Sequence, residues 1–129
     1  MQHTILAVGK LDERYWREAC AEYCKRMGRF GGLEIIELPE QRLPKRPDPG
    51  EIAHAVEREG EEMLARLPKR AYVCGLFIEG KPRSSESLAQ LLGNLPLQGY
   101  SQIVFLIGVP TGCRRRCAPP ARRRCRFPP

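Results

Sequence analysis

The stretch AYVCGLFI at residues 71–78 decides the fold. Almost every residue in it is apolar, so both faces of the strand that it predicts must be covered, as in a parallel sheet flanked by helices. Two further apolar runs, HTILAVG at 3–9 and IVFLI at 103–107, predict buried strands of the same kind. LEIIEL at 33–38 predicts a fourth strand, which ends before Pro39.

Helical patterns fill the three intervals between these strands. Gly28 closes the first helix, Asp48 and Pro49 begin the second, and Ser84 or Ser85 caps the third. The residues expected to face the sheet are Tyr15, Trp16, Ala19, Tyr23 and Met27, then Ile52, Val56, Met63 and Leu64, then Leu88, Leu91 and Leu92. The order β-α-β-α-β-α-β predicts an α/β domain with a mostly parallel sheet and helices on both faces.

A sheet of this kind binds ligands at the carboxyl ends of its strands. Gly9 and Lys10 follow the first predicted strand, residues 79–81 follow the third, and Gly108 follows the fourth. These three strand ends are the expected ligand site.

Residues 109–129, VPTGCRRRCAPPARRRCRFPP, differ in composition from everything before them. They contain seven Arg, five Pro, three Cys and no acidic residue, whereas residues 1–108 carry 15 basic and 15 acidic residues. The net charge of +7 therefore belongs to this tail alone. Because so few apolar residues are present, we expect the tail to be disordered, without packed structure.

Other features exclude several classes of protein. No apolar run approaches the roughly 18 residues of a membrane span, and the first residues lack the basic region of a secretory signal. Cys20, Cys24 and Cys74 lie in helix and strand patterns, as apolar fillers do. We therefore expect a cytoplasmic protein with reduced thiols and no membrane association.

Several short motifs are too incomplete to assign a chemistry. AVGK at 7–10 lacks the spacing of a phosphate-binding loop, and His3 and His54 have no partners at ligand spacing. Cys113, Cys117 and Cys125 lack a fourth zinc ligand. The acidic run on the second helix is typical of a solvated face. No metal site is predicted.

Seven segments of residues 1–108 together resemble a known family. They are ILAVGK at 5–10, YW at 15–16, EYCKR at 22–26, EIIELPE at 34–40, EGEEMLARL at 59–67, GLFIEGKPRSSESLAQLL at 75–92 and IVFLIG at 103–108. This part of the chain resembles the bacterial ribosomal large subunit methyltransferase H family, which is of the SPOUT class.

The resemblance implies a trefoil-knotted α/β fold, a homodimer, and methyl transfer from S-adenosylmethionine to N3 of a pseudouridine in 23S rRNA within the ribosome. By position, Leu76 and Gly108 match the cofactor contacts of the family. The alternative role for Leu76 is that of a core leucine, and the alternative for Gly108 is that of a turn glycine. No catalytic residue can be assigned.

From residue 109 the sequence departs from the family, which continues with Gly-Gly-x-x-Gly-Leu and later Leu-Ser-Phe-Ser. Joining the last base of each codon to the first two bases of the next permits a Gly at positions 109 and 112. It also permits three Ala at 122–124 and then Leu-Ser-Phe-Ser at 125–128. We interpret 109–129 as a frameshift product and 1–108 as an incomplete SPOUT domain without its knot-forming part.

The interpretation leaves three functional hypotheses. The chain descends from a methyltransferase and is itself inactive, because the segment that completes the cofactor pocket and the dimer interface is replaced. Alternatively, it is a non-catalytic α/β domain that binds RNA through an Arg-rich arm, or a non-functional gene fragment.

Overall fold

The computed structural model describes residues 1–40, 43–108 and 123–126, with backbone alone at 77–80 and 123–126. Four strands and three helices alternate as predicted: β1 (Gln2–Val8), α1 (Arg14–Met27), β2 (Leu33–Leu38), α2 (Pro49–Ala65), β3 (Tyr72–Pro82), α3 (Ser85–Asn94) and β4 (Gln102–Ile107). A fifth strand, β5, comprises Arg123–Arg126. Within the described residues, no helix has the length and apolar content that crossing a membrane requires.

All five strands pair in parallel, in the spatial order β2-β1-β4-β3-β5. The first and fourth strands of the chain, β1 and β4, are therefore direct neighbours inside the sheet, in the register Ile5–Phe105. The predicted α/β class with a parallel sheet is confirmed.

Two apolar clusters pack on opposite faces of this sheet. Val73, Val104 and Leu106 point to one face and contact Met63 of α2. Tyr72, Cys74 and Ile103 alternate with them and contact Leu91 and Leu92 of α3 on the other face. Because alternate residues of one strand point to opposite sides, the apolar run in β3 contributes to both clusters. The expectation of helices on both faces is confirmed.

Capping hydrogen bonds and local backbone geometry set the ends of the helices. The Asp48 carboxylate accepts a hydrogen bond from the Glu51 N–H at 2.7 Å, and the Asp48 N–H donates to the Glu51 carboxylate at 3.2 Å, which forms a capping box. Gly28 closes α1 as predicted, since it is the C-cap residue after Met27, and a short 3-10 turn (Gly28–Phe30) follows. The chain then turns at Gly31, where φ is +104° and a Cβ would clash with the Met1 carbonyl oxygen.

The predicted inward face of α1 is partly wrong. Tyr15, Trp16 and Tyr23 are 60%, 55% and 61% exposed, while Cys20 and Cys24 are half-buried. Helical spacing identifies an apolar stripe but not which part of it contacts the sheet, and α1 packs on the edge strand β2, where less surface is available. Ile52 on α2 was also expected to face the sheet, and it is 42% exposed.

The third strand is longer than predicted. It extends to Pro82, with a register break between Leu76 and Lys81, because β5 provides a second pairing partner on that side. Residues 79–81 were expected to follow the strand as a loop, and they lie within it.

Four residues of the tail form a strand, although no packed structure was expected at 109–129. Backbone N–H and C=O groups at the edge of β3 can pair with an extended segment whatever its side chains, so composition is a poor guide here. The other tail residues lie outside the described parts of the chain.

Truncating the core should cost far more stability than truncating the surface. We expect Leu106→Ala to lower the free energy of unfolding by about 2–5 kcal/mol, since Leu106 is fully buried. Leu97→Ala is the matched control: Leu97 is 85% exposed, and its loss should change stability by no more than about 0.5 kcal/mol. Urea denaturation of both variants tests this, and equal losses would contradict the assigned core.

The contribution of Glu86, in the first turn of α3, to the stability of the protein should depend on pH. The Glu86 carboxylate accepts hydrogen bonds from its own backbone N–H and from the Ser84 hydroxyl. Both lower the pKa of that carboxyl, and the backbone N–H has the larger effect. The resulting contribution to stability is present above the unfolded pKa and is lost as pH falls through the lower folded pKa. Ser84→Ala should raise the pKa of Glu86 in an NMR titration of its carboxyl carbon, and Ser85→Ala should not.

Candidate functional site

The strand order predicts a ligand crevice between β1 and β4. After β1 the chain passes to β2 on one side, whereas after β4 it continues to β5, beyond β3 on the other side. Adjacent strands whose connections leave in opposite directions open a crevice outside their carboxyl ends, and ligands of α/β proteins bind there. Gly9, Lys10 and Gly108 follow these two strands directly.

Two glycines at this edge have backbone conformations that side chains disfavour. Gly9 has φ +98° and Gly108 has φ +72°. A Cβ on Gly108 would lie 3.5 Å from the Val8 carbonyl oxygen, so the ends of β1 and β4 are in close approach. The Gly9 N–H donates to the Leu38 carbonyl at 2.7 Å, which joins β2 to the same edge. Gly108 thus presents exposed backbone at the end of β4, where a ligand would enter.

Glu40 also reaches this edge, and the sequence analysis did not select it as a site residue. A Cβ on Gly9 would lie 2.8 Å from Oε1 of Glu40, so the carboxylate lies over the Gly9 backbone. The sequence feature that could have identified Glu40 is its position two residues after β2.

Leu76 lies where β3 and β4 separate. Their pairing ends at Gly75–Leu106, one residue before Leu76. Leu76 is half-buried and packs against the cluster that contains Cys74 and Ile103. The core-leucine alternative is therefore compatible with a ligand contact, because part of the side chain stays accessible.

Ile107 is a second apolar residue at this separation, and sequence reasoning did not select it. By strand alternation it projects to the same side of the sheet as Ile103 and Phe105, which is the side on which Leu76 packs. It is 40% exposed, in contrast to Ile103 and Leu106, which are fully buried. Alternation along 103–107 could have identified it.

The histidines have no site in common. His3 is buried, and its Nδ1 lies 3.1 Å from the Gly32 carbonyl oxygen, so it links the start of β1 to the start of β2 at the opposite edge. His54 is exposed on α2.

Metal-binding side chains are likewise dispersed. Across 1–40, 43–76 and 81–108, no three His, Cys, Asp or Glu side chains are grouped as metal ligands. Cys113 and Cys117 lie outside the described residues, and of Cys125 only the backbone is described.

The residues at this edge fit one wall of a nucleoside-type cofactor site. Leu76 and Ile107 offer apolar surface for an aromatic ring, and Gly108 allows close approach to the backbone. Few of the described side chains at this edge could move a proton: Lys10 is exposed and Glu40 lies over Gly9. Neither is in place to be called catalytic, so the site supports binding and positioning.

A sequence model of the family described as "Predicted SPOUT methyltransferase" matches residues 1–129. The match extends through the tail, whereas the resemblance of individual segments stops at residue 108. Together with the parallel α/β sheet, it establishes the class of protein. The chain belongs to the SPOUT methyltransferase family, whose members use S-adenosylmethionine as methyl donor.

Proposed function

We propose that the chain derives from an enzyme that methylates N3 of a pseudouridine in 23S rRNA, in the cytoplasm. Membership of the SPOUT family is the observation that carries this proposal. The finer substrate rests on the segments that resemble the ribosomal large subunit methyltransferase H family, among them IVFLIG at 103–108.

In this proposal Leu76 and Gly108 hold S-adenosylmethionine. The cofactor supplies an electrophilic methyl group on a sulfonium. The side chain of Leu76 would pack against the adenine, and the bare backbone at Gly108 would let the nucleoside approach β4 closely. Reaction at a ring nitrogen also needs an acceptor for the N3 proton, and positioning of the two reactants supplies much of the rate acceleration.

We further propose that the polypeptide with its present residues 109–129 is inactive. The Leu-Ser-Phe-Ser segment that forms the opposite wall of the family's pocket is replaced here by arginines and prolines. The strand β5 at Arg123–Arg126 covers positions 125 and 126, where the shifted reading frame has Leu-Ser. Loss of the same segment would also remove the homodimer interface.

The Arg-rich arm is a weaker alternative. Its arginines would have to extend from the domain to contact phosphates, but the backbone of Arg123–Arg126 is paired with β3. A non-functional fragment should bind neither the cofactor nor RNA, and this distinguishes it from both other hypotheses.

Labelled methyl transfer tests the function and the inactivity separately. The 129-residue chain should transfer no label from S-adenosylmethionine to ribosomes, and a variant with the shifted-frame continuation after Gly108 should transfer it to pseudouridine N3. Transfer by the unaltered chain would refute the inactivity. Failure of the restored chain to bind the cofactor in calorimetry would refute the methyltransferase proposal, and label on another nucleotide would refute the substrate.

A glycine pair tests the cofactor wall in the restored chain. Gly108→Ala should weaken cofactor binding at least about tenfold, the equivalent of about 1.4 kcal/mol, because φ is +72° there and the methyl group would project beside Val8. Gly93→Ala is the control, since it is helical and has open space around it. Equal affinities of the two variants would exclude Gly108 from the site.

The DNA sequence of the gene tests the frameshift. Read one nucleotide out of frame after codon 108, it should encode Gly-x-x-Gly and then Leu-Ser-Phe-Ser. A base sequence that cannot encode these motifs would disprove the interpretation.

A further inference from the structure

The register break in β3 places Lys81 near the predicted cofactor wall. On the β5 side, Leu76 and Lys81 both pair with residue 125, and residues 77–80 are left out of the pairing between them. Neighbouring strands lie about 4.8 Å apart, so two residues that pair with the same position lie within about 10 Å of each other. Irregularities of this kind redirect a side chain next to a site. Lys81 therefore returns to the level of Leu76.

Arg83 lies two residues further along the chain, and its guanidinium is held in place. Its Nη1 donates a hydrogen bond to the Ser87 hydroxyl at 3.1 Å. Arg83 is half-buried, whereas Lys81 is exposed. A guanidinium has five N–H donors, and this bond uses one of them. The others form a planar fork that matches the oxygens of a phosphate group.

Neither cation has a negative partner in the part of the chain that the structure describes. The ion pairs among the described side chains lie on α1 and include neither Lys81 nor Arg83. The carboxylate of Glu86, three residues after Arg83, accepts hydrogen bonds from its own backbone N–H and from Ser84. Of Glu79 only the backbone is described. Unpaired surface cations are common, and what gives these two a role is their position beside the site.

The proposed reaction determines where the phosphates of the substrate must lie. N3 of a pseudouridine is on the edge by which the base pairs with another base, so it is reached only when the nucleotide is unpaired or leaves its helix. The base then enters the crevice, while the phosphates on its two sides stay at the mouth. Cations at the mouth are therefore where an RNA strand is held in register with the cofactor.

We propose that Lys81 and Arg83 hold the phosphate groups beside the target nucleotide of an RNA strand. The inference rests on the proposed function for the identity of the substrate, and it adds the residues that bind the backbone of that substrate. Arg83 supplies an oriented fork and Lys81 a point charge. The carboxylate of S-adenosylmethionine is the competing anion, but an ammonium lies beside it in the cofactor, so two cations suit phosphates better.

Salt-dependent RNA binding by the 129-residue chain tests the proposal. Fluorescence anisotropy of a labelled single-stranded RNA that contains pseudouridine gives the affinity at several salt concentrations. Lys81→Gln combined with Arg83→Gln should weaken binding. It should also reduce the slope of log affinity against log salt by about 1.4, which is about 0.7 for each lost phosphate contact. The arginines of the tail are present in every variant, so their contribution cancels in the comparison.

Lys45→Gln combined with Arg46→Gln is the matched control. It removes the same two charges, from exposed side chains at the same edge of the sheet. These residues lie in the loop after β2, which is two strands away from β4. The affinity and the slope of the control should equal those of the unaltered chain. Equal losses in the two double variants, or no loss in either, would overturn the proposal.

Lys81→Gln alone separates binding from folding. Arg83→Gln also removes the hydrogen bond to Ser87, whereas Lys81 is exposed and its replacement should leave the circular dichroism spectrum unchanged. The single variant should reduce the salt slope by about 0.7. An unchanged slope would mean that Arg83 only supports the start of α3, and it would overturn the proposal.

The chain restored after Gly108 distinguishes the two anions and the two proposals. In that chain Lys81→Gln should raise KM for ribosomes, while the calorimetric affinity for S-adenosylmethionine stays the same. Loss of cofactor affinity with an unchanged salt slope would assign the cations to the carboxylate of the cofactor and overturn the inference. Absence of methyl transfer by the restored chain, with the difference between the double variants intact, would refute the proposed reaction and leave the phosphate site standing.

Discussion

The pairing of β1 with β4 is the contact on which the rest of the structure depends. Six residue pairs join the first strand of the chain to a strand that begins 100 residues later, from Gln2–Gln102 to Ala7–Ile107. The interval between them supplies both neighbouring strands and all three helices. This pairing brings Val8 beside Gly108, at the edge where the topology predicts a ligand crevice. Closing so long a loop has an entropic cost, which burial of apolar residues on both faces helps to offset.

Burial on both faces explains why the central strands tolerate so little polarity. Val104 and Leu106 are buried under α2, and Ile103 is buried under α3. One strand residue later, Ile107 is 40% exposed, and Gly108 is accessible. The change from core to accessible surface thus occurs within two residues at the end of β4. An apolar but open edge of this kind suits a flat aromatic ligand, because the ring finds contact surface without any rearrangement of the core.

The net charge of the whole chain does not describe the charge of residues 1–108. The value of +7 comes from seven arginines after residue 108, and four residues of that segment are held by backbone pairing to β3. The domain itself is neutral in sum but has a basic α1 region and an acidic α2. A polyanion responds to the local field within about a Debye length, roughly 10 Å, and not to the sum over the chain.

Sequence patterns predicted most of the fold but only part of the site. The strands around Ile5, Ile35 and Phe105 followed from apolar runs, since short buried strands have few other compositions. Leu76 and Gly108 came from the family resemblance, and their role in the site remains a prediction. Ile107 and Glu40 were not selected, because their exposure and position depend on where strands separate and on which strand ends are neighbours.

By itself, the sequence determined the element order, the α/β class and the break in composition at residue 109. These follow from local periodicity and residue type, which require no knowledge of distant contacts. Only the tertiary structure decided which side of α1 is covered, how far β3 extends, and that Arg123–Arg126 pairs with it. Each of these depends on which surfaces meet across the sheet, because burial and backbone pairing are properties of neighbours in space and not of neighbours in the chain.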